Sequence, residues 1–398
     1  MQKRLKFNFK LVLSQILTSV ILTFSLITNA LDGQITVNSH SYTVIKEIAR
    51  GGEGTVYEVQ DTQSPHTKYA LKVQKISVIN PYDPINPNHQ MEFYDREFKF
   101  DFFKNRVKNL PHHVKKIFKY MPFTFDYLIH LPEQEFRDSA KPNIQIRSGV
   151  SLMSLADDTL YAHIQTLNQK LDLTSEQQQK ARSDLALSVF KDILHELKTL
   201  SENSYAYLDL KPFNIGFDAA SNTYSLLDLN SIYSTIPGED ISRTILATVV
   251  YAAPEINNSN KYSEISQLYS LAMTLLEILD SNFVNHIRYK LMNKNDTHFD
   301  QQELLRIERL YMNSFAHVDR VKLVNLFSFL KAATEKDPYV RSQKLCELTF
   351  SSEIDSIVTK ADIRQSRVST LMESLKAKLK NTRNASYPKM SCDGLFQY

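Results

Sequence analysis

Two cysteines and eight glycines are all that 398 residues hold of either type. Two thiols, Cys346 and Cys392, make no disulfide scaffold; they can close one bridge at most. No internal repeat is visible, which argues against solenoids and propellers. One-sided charge is lacking too. The net charge is +3, but Lys3, Arg4, Lys6 and Lys10 crowd the extreme N-terminus, and without these four it becomes −1. Nucleic-acid binding therefore has no electrostatic support. With 42% hydrophobic and 23% charged residues the chain reads as globular, and its length allows a large core. Scarce glycine makes its placement informative. Three of the eight glycines stand at 51, 52 and 54, which implies a special backbone demand there.

The most informative stretch is Tyr207-Leu208-Asp209-Leu210-Lys211-Pro212-Phe213-Asn214, followed by Leu227-Asp228-Leu229-Asn230. It sets two carboxylates, an amide and an ammonium on two short segments, each Asp after apolar, strand-like residues. Mg²⁺ takes hard oxygen ligands, which Asn214 and Asp228 can supply. A hydroxyl nucleophile needs a carboxylate to orient it and accept its proton, and Asp209 suits that part. Pro212 stiffens the loop between base and ligand.

Further pieces follow in a fixed order. Ile48 to Tyr57, with Gly51, Gly52 and Gly54, resembles the glycine-rich loop of protein kinases. Tyr69-Ala70-Leu71-Lys72-Val73 resembles their third strand. Asp209 to Asn214 resembles the catalytic loop, and Asp228-Leu229-Asn230 stands at the D-F-G position. Ala247 to Glu255 resembles the end of the activation segment, and Asp337 to Arg341 the late Arg motif. Six such motifs in order, spanning about 42–342, identify the chain as similar to the eukaryotic-type protein kinase superfamily.

The resemblance implies an α+β, bilobal fold: a β-rich N-lobe over 31–155, a mainly helical C-lobe over 156–345, and a helical tail over 346–398. It implies ATP held between the lobes by Gly51, Gly52, Gly54, Val56, Ala70 and Lys72, and Mg²⁺ held by Asn214 and Asp228. Asp209 would be the base and Lys211 would neutralise phosphoryl charge. Glu97 would pair Lys72, with Glu92 as second choice, and Thr248 would approach Asp209 and Lys211. Lys211, two places after the base, resembles serine/threonine rather than tyrosine kinases. The implied partner is a protein substrate, and the chain is expected as a monomer. Departures are visible as well. Ala49 replaces the first glycine, and Glu53 puts a carboxylate at the loop tip. Leu208 replaces the Arg that receives an activating phosphate. Gln267 stands for an Asp that braces the loop, and Ala272 for a Gly. Asn230 replaces a Gly, where Asn is expected to tolerate positive φ. These departures keep open a pseudokinase scaffold, and a small-molecule kinase of the same fold is the third reading. Glu255 and Arg341 are expected to form an ion pair.

The first thirty residues have the three-part form of a secretory signal: a cationic start, an apolar stretch from Leu11 to Ile27, and a small-x-small end at Thr28-Asn29-Ala30. An uncleaved anchor is the alternative, which would tie the chain to a membrane; a buried N-terminal helix is the third possibility. The first two place the domain in the secretory pathway, where sequons at Asn257, Asn295 and Asn384 fit.

Patterning predicts strands over Tyr42–Arg50, Thr55–Val59 and Lys68–Gln74, and a proline-bearing insertion over 80–90 before a helix over Met91–Lys104. Further strands and a hinge are expected over 113–155. Thr174 with Gln177 forms a capping-box pattern. Leu185, Val189, Ile193 and Leu197 mark a helix over 175–200, and Ser266–Leu279 is an apolar helix. A helical stripe from Ile354 to Leu375 is expected to pack on the C-lobe.

Overall fold

The computed structural model describes residues 33–51, 54–79, 100–130, 145–170, 174–236, 245, 247–259, 261–280, 282–294, 299–313 and 317–348. Residues 1–30, expected to be a targeting segment, lie outside these residues, as do Gly52, Glu53, Glu92, Glu97, the expected 80–90 insertion and the expected tail stripe. So do Asn295, Asn384 and Cys392. Among the described residues no helix is long and apolar enough to cross a membrane. The chain divides into two compact units, one within 1–109 and 122–155, the other within 110–121 and 156–398.

In the first unit, β1 (Gln34–Val37), β2 (His40–Gly51), β3 (Gly54–Asp61), β4 (Lys68–Ile79), β5 (Thr124–His130) and β6 (Gln145–Ser154) form one sheet in the order β1-β2-β3-β4-β6-β5. Every pair is antiparallel. Side chains alternate between faces along each strand. One face carries the apolar cluster of Ile35, Val37, Tyr42, Val59, Leu71, Val150 and Leu152. The helix α1 (residues 100–109) lays the Phe100 ring over Gly149 of β6, where an added Cβ would come within 2.7 Å of the ring. Only glycine permits that approach. Phe100 and Phe103 complete the contact edge-on against Tyr127 and Phe125, with centroids 5.3 and 5.5 Å apart. The helix expected over 91–104 is thus present in its described part and runs on to 109.

The second unit is built on two helices, α2 (Leu160–Gln169) and the long α3 (Ser175–Glu202). The capping box of α3 forms: Thr174 Oγ1 accepts from Gln177 N at 3.2 Å, and Gln177 Oε1 accepts from Thr174 N at 2.9 Å. Val189, Ile193 and Leu197 of its expected stripe are buried, but Leu185 is only half-buried and Ala186 takes its place. Four residues turn a helix through slightly more than one full turn, so a strict four-residue stripe winds off the core face. Short strands flank these helices: β7 (Asp158–Thr159) before them, and β8 (Tyr205–Tyr207), β9 (Ile215–Asp218), β10 (Thr223–Leu226) and β11 (Ile232–Ser234) after them. They make a three-stranded sheet β10-β9-β7 and a two-stranded sheet β11-β8.

Then come α4 (Pro254–Ser259), α5 (Glu264–Leu279), α6 (Phe283–Lys294), α7 (Gln301–Met312), α8 (His317–Ala333) and α9 (Pro338–Leu348). From Ile265 to Leu279 every residue of α5 is buried, as expected of a helix apolar on all sides. Its C-terminal carbonyls are met by Arg182 Nη1, which donates to Ile278 O at 2.8 Å, and Tyr311 OH, which donates to Leu279 O at 2.8 Å. Arg341 and Glu255 form a bidentate pair at 2.7 and 3.1 Å, with side chains 0% and 3% exposed. Ser266 Oγ also donates to Glu255 Oε1 at 2.8 Å, and Glu335 and Lys336 carbonyls accept from Arg341. Asp337, ahead of Pro338, accepts from Tyr339 N and Val340 N and starts α9.

Candidate active site

In the first unit the residues of interest share one sheet face. Lys72 of β4 lies opposite Val56 of β3 and Ser151 of β6, and Ala70 lies opposite Glu58 and Met153. Residues directly opposite point to the same side, so Val56, Ala70 and Lys72 turn away from the apolar cluster that holds Leu71. Lys72 is 7% exposed. The β2–β3 ladder ends on the pair Gly51–Gly54, with two irregularities in β2 after Val44 and Glu47. The two glycines do different work. At Gly54, φ is +153° and a Cβ would sit 2.2 Å from Val73 O, so close contact with β4 requires glycine. At Gly51 a Cβ would meet nothing within 4 Å. Gly52 and Glu97 fall outside the described residues.

The second unit brings together Asp209, Lys211, Asn214 and Thr248. Asp209 Oδ2 accepts from Lys211 Nζ at 2.5 Å and from Asn214 Nδ2 at 3.0 Å, while Oδ1 accepts from Thr248 N at 2.8 Å. Lys211 Nζ also donates to Thr248 Oγ1 at 2.7 Å. The segment Pro212–Asn214 is one 3-10 turn with Pro at its start, which is why lysine and amide fold back on the same carboxylate. Asn214 Nδ2 also donates to Asp209 O at 2.8 Å. Its amide nitrogen is thereby committed to Asp209, which leaves Oδ1 as the hard oxygen that a cation could use.

Asp228 belongs to the same ensemble through the backbone. Leu227 N donates to Asn214 O at 2.8 Å, and Tyr207 OH donates to Leu227 O at 2.7 Å and Asp228 O at 3.3 Å. Gln267 braces Tyr207: its Oε1 accepts from Tyr207 N at 2.9 Å and its Nε2 donates to Ser201 Oγ at 2.7 Å. Leu208 is buried, consistent with an apolar anchor in place of a phosphate receiver. The expectation for Asn230 is corrected. Positive φ falls on Asp228 instead (φ 47°, ψ 63°), and Leu229–Ser231 forms a 3-10 turn. Asp is among the residues that tolerate the left-handed region, so a glycine at 230 is not needed. Asn230 Oδ1 is buried with no hydrogen-bond partner.

Patterning did not reveal how β10, the strand leading to Asp228, is held. It lies at the edge of its sheet, and its outward N–H groups meet two acids one turn apart on α3. Asp192 Oδ2 accepts from Tyr224 N at 3.0 Å; Glu196 Oε2 accepts from Leu226 N at 2.8 Å and Oε1 from Ser225 Oγ at 2.5 Å. Burial pushes the Glu196 carboxyl up to about 8, against the opposing pull of these two hydrogen bonds, with Asp192 adding to the rise. The clue in the sequence is an acid in phase with a buried stripe, between Ile193 and Leu197. Phe213 was also missed: it is 52% exposed on the turn between Lys211 and Asn214 and stacks on Tyr161, with centroids 3.8 Å apart.

Among the described residues no group of three or more His, Cys, Asp or Glu could hold a metal alone. One carboxylate and one amide oxygen suit Mg²⁺ that shares its shell with substrate phosphates. Of the sequons, Asn257 spends its amide nitrogen on Val249 O and Ala252 O, at 3.1 and 3.3 Å.

The family model for the protein kinase domain matches residues 150–361, more than half of the chain. The glycine hairpin and Lys72 precede that match. A curated relative, the serine/threonine-protein kinase nekl-2 of Caenorhabditis elegans, is 30% identical over 93 residues, which are 23% of this chain and 26% of the relative. The chain thus spans about a quarter of that relative's length in the match.

Proposed function

The chain belongs to the protein kinase domain family, and on that premise we propose that it is a serine/threonine kinase, moving the γ-phosphoryl group of ATP to a protein hydroxyl. The observation that carries this is the three-way hold on Asp209 by Lys211, Asn214 and Thr248. A carboxylate held by three donors presents a fixed oxygen edge to an incoming hydroxyl and can take its proton. Lys211 stands where charge on the transferring group needs neutralising, and catalysis is then mostly positioning and electrostatics. Mg²⁺, when bound, supplies charge neutralisation on the phosphates; Asn214 Oδ1 and Asp228 are the oxygens that would hold it. On the first unit, Val56, Ala70, Lys72 and the glycine hairpin supply the nucleotide-contacting face, with Glu97 as the partner proposed for Lys72. We assign 31–155 to the N-lobe of a bilobal fold, save that 110–121 group with the second unit, 156–345 to the C-lobe and 346–398 to a helical tail. Residues 1–30 are assigned as a signal peptide or anchor that sends the domain into the secretory pathway.

The test is Mg-ATP phosphotransfer by the full chain onto mixed proteins, beside Asp209→Ala and Asp228→Ala. Asp209→Ala is expected to cost about 10²–10⁴ in rate, and Asp228→Ala to remove metal-dependent turnover. Equal rates in parent and Asp209→Ala would unseat the assigned base. A pseudokinase would bind ATP in a thermal-shift titration and transfer nothing. The Gln267 brace weighs against that reading, since the altered residue still holds the loop.

A further inference from the structure

We propose that Phe213 and Tyr161 form an aromatic shelf that selects protein substrates with a large apolar side chain close to the phosphorylated hydroxyl; this rests on the protein kinase reading above. A single exposed apolar residue is ordinary and needs no explanation. Phe213 is not ordinary in three respects. Its flanking residues Pro212 and Asn214 are buried while it is 52% exposed. It is fixed by the Tyr161 ring, stacked at 3.8 Å with planes 20° apart. Tyr161 itself sits in the first turn of α2, whose N-cap Thr159 Oγ1 accepts from Ala162 N at 3.3 Å. Ordering an aromatic in this way lowers the entropy lost when another side chain lies on it.

The reaction itself says what covers the shelf. A substrate hydroxyl must come within about 2.6–3.2 Å of the Asp209 carboxylate. That carboxylate is held by Lys211 and Asn214, the residues on either side of the Pro212–Phe213 pair. A chain delivering its hydroxyl there passes over the 3-10 turn that displays Phe213. At about 3.3 Å per extended residue, contact falls within a few residues of the acceptor. The chemistry on offer is apolar. Neither Pro212 nor Phe213 carries charge, and Val249, next to Thr248, is also 47% exposed. The surface therefore favours Leu, Ile, Phe or Met on the substrate over an acid, and the array decides between them and Arg.

The test is a peptide array around a fixed Ser or Thr, each flanking position varied in turn, phosphorylated by the full 398-residue chain with Mg-ATP. One position is expected to favour large apolar residues over Ala by about tenfold in kcat/KM, carried in KM. Phe213→Ala is expected to flatten that position, Phe213→Leu to keep it, and Phe213→Glu to turn it toward Arg. Should Phe213→Ala melt early in a thermal scan, Tyr161→Leu, which removes the stacking face, takes its place. A flat array from an active parent, a preference for Arg or an acid at every near position, or an unchanged preference in Phe213→Ala would each overturn the shelf alone. Bound ATP with no peptide phosphorylated would overturn the kinase reading and the shelf with it.

Discussion

Glu196 offers the sharpest test of the packing around Asp228. Its carboxyl is pushed from an ordinary 4.5 up to about 8, chiefly by burial. A raised value means the folded chain keeps a proton that the unfolded chain releases. The resulting stability is fully present below about pH 4.5 and is lost as pH rises to about 8. At about 1.4 kcal/mol per pH unit, that interval sets a ceiling near 5 kcal/mol. An effective interior dielectric nearer 20 reduces the working figure to about 2–3 kcal/mol. Glu196→Gln removes the proton and keeps the shape: one amide atom accepts from Leu226 N, and the other donates to Ser225 Oγ.

The assay is thermal unfolding of parent and Glu196→Gln, side by side, at steps from pH 5 to 8.5. At about 2–4 °C per kcal/mol for a unit of this size, parent minus variant is expected to fall by roughly 4–12 °C across the range. Groups common to both chains cancel in the difference. A difference constant with pH would mean Glu196 does not titrate there. A difference that grows with pH would mean the two donors win over burial and hold it ionised. Either result refutes the reasoning. Glu196→Ala is expected to be worse than Glu196→Gln at every pH, because it leaves Leu226 N and Ser225 Oγ buried without their acceptor, at about 1–3 kcal/mol each.

Arg341→Met is expected to cost about 3–5 kcal/mol by stranding the buried Glu255, with Arg341→Met/Glu255→Leu recovering part; a single variant that melts within a degree of the parent would contradict this. Gly54→Ala is expected to destabilise strongly, since its Cβ would lie 2.2 Å from Val73 O, whereas Gly51→Ala meets nothing; equal melting of the two would show the hairpin is placed differently. Tyr207→Phe loses two hydrogen bonds to the backbone around Asp228. It is expected to cost about 1 kcal/mol and to raise the Mg²⁺ concentration needed for half-maximal turnover; an unchanged Mg²⁺ dependence would separate Tyr207 from the metal site.

Local chemistry made much of this legible. The α3 capping box, the strands around Lys72 and the Glu255–Arg341 pair follow from residue types at short spacings or from motif order. The burial of α5 follows from its unbroken apolar run. What stayed hidden depends on contacts between distant segments. Gly149 is a glycine because Phe100 lies on it, and no spacing announces that. Nothing in the spacing of Asp192 and Glu196 along α3 announces that the edge strand β10 donates its N–H groups to them. Asn230 was misread because a family position was taken to demand positive φ, while the chain takes it two residues earlier.

That shift bears on how the two acids differ. Asp209 has three side-chain or backbone donors on its carboxylate, so its direction is set by Lys211 and Asn214 in its own loop and by Thr248. Asp228 is set by its backbone: a left-handed φ, carbonyls held by Tyr207, and a strand fastened by Asp192 and Glu196. A residue held in that region by its surroundings stores strain of order 1–3 kcal/mol, which α3 and Tyr207 must balance. Loosening β10 should therefore disturb metal binding first and the base last. Glu196→Ala, in whatever fraction stays folded, is expected to need more Mg²⁺ at nearly unchanged peptide KM. If peptide KM moved and the Mg²⁺ requirement did not, the strand would not be what holds Asp228.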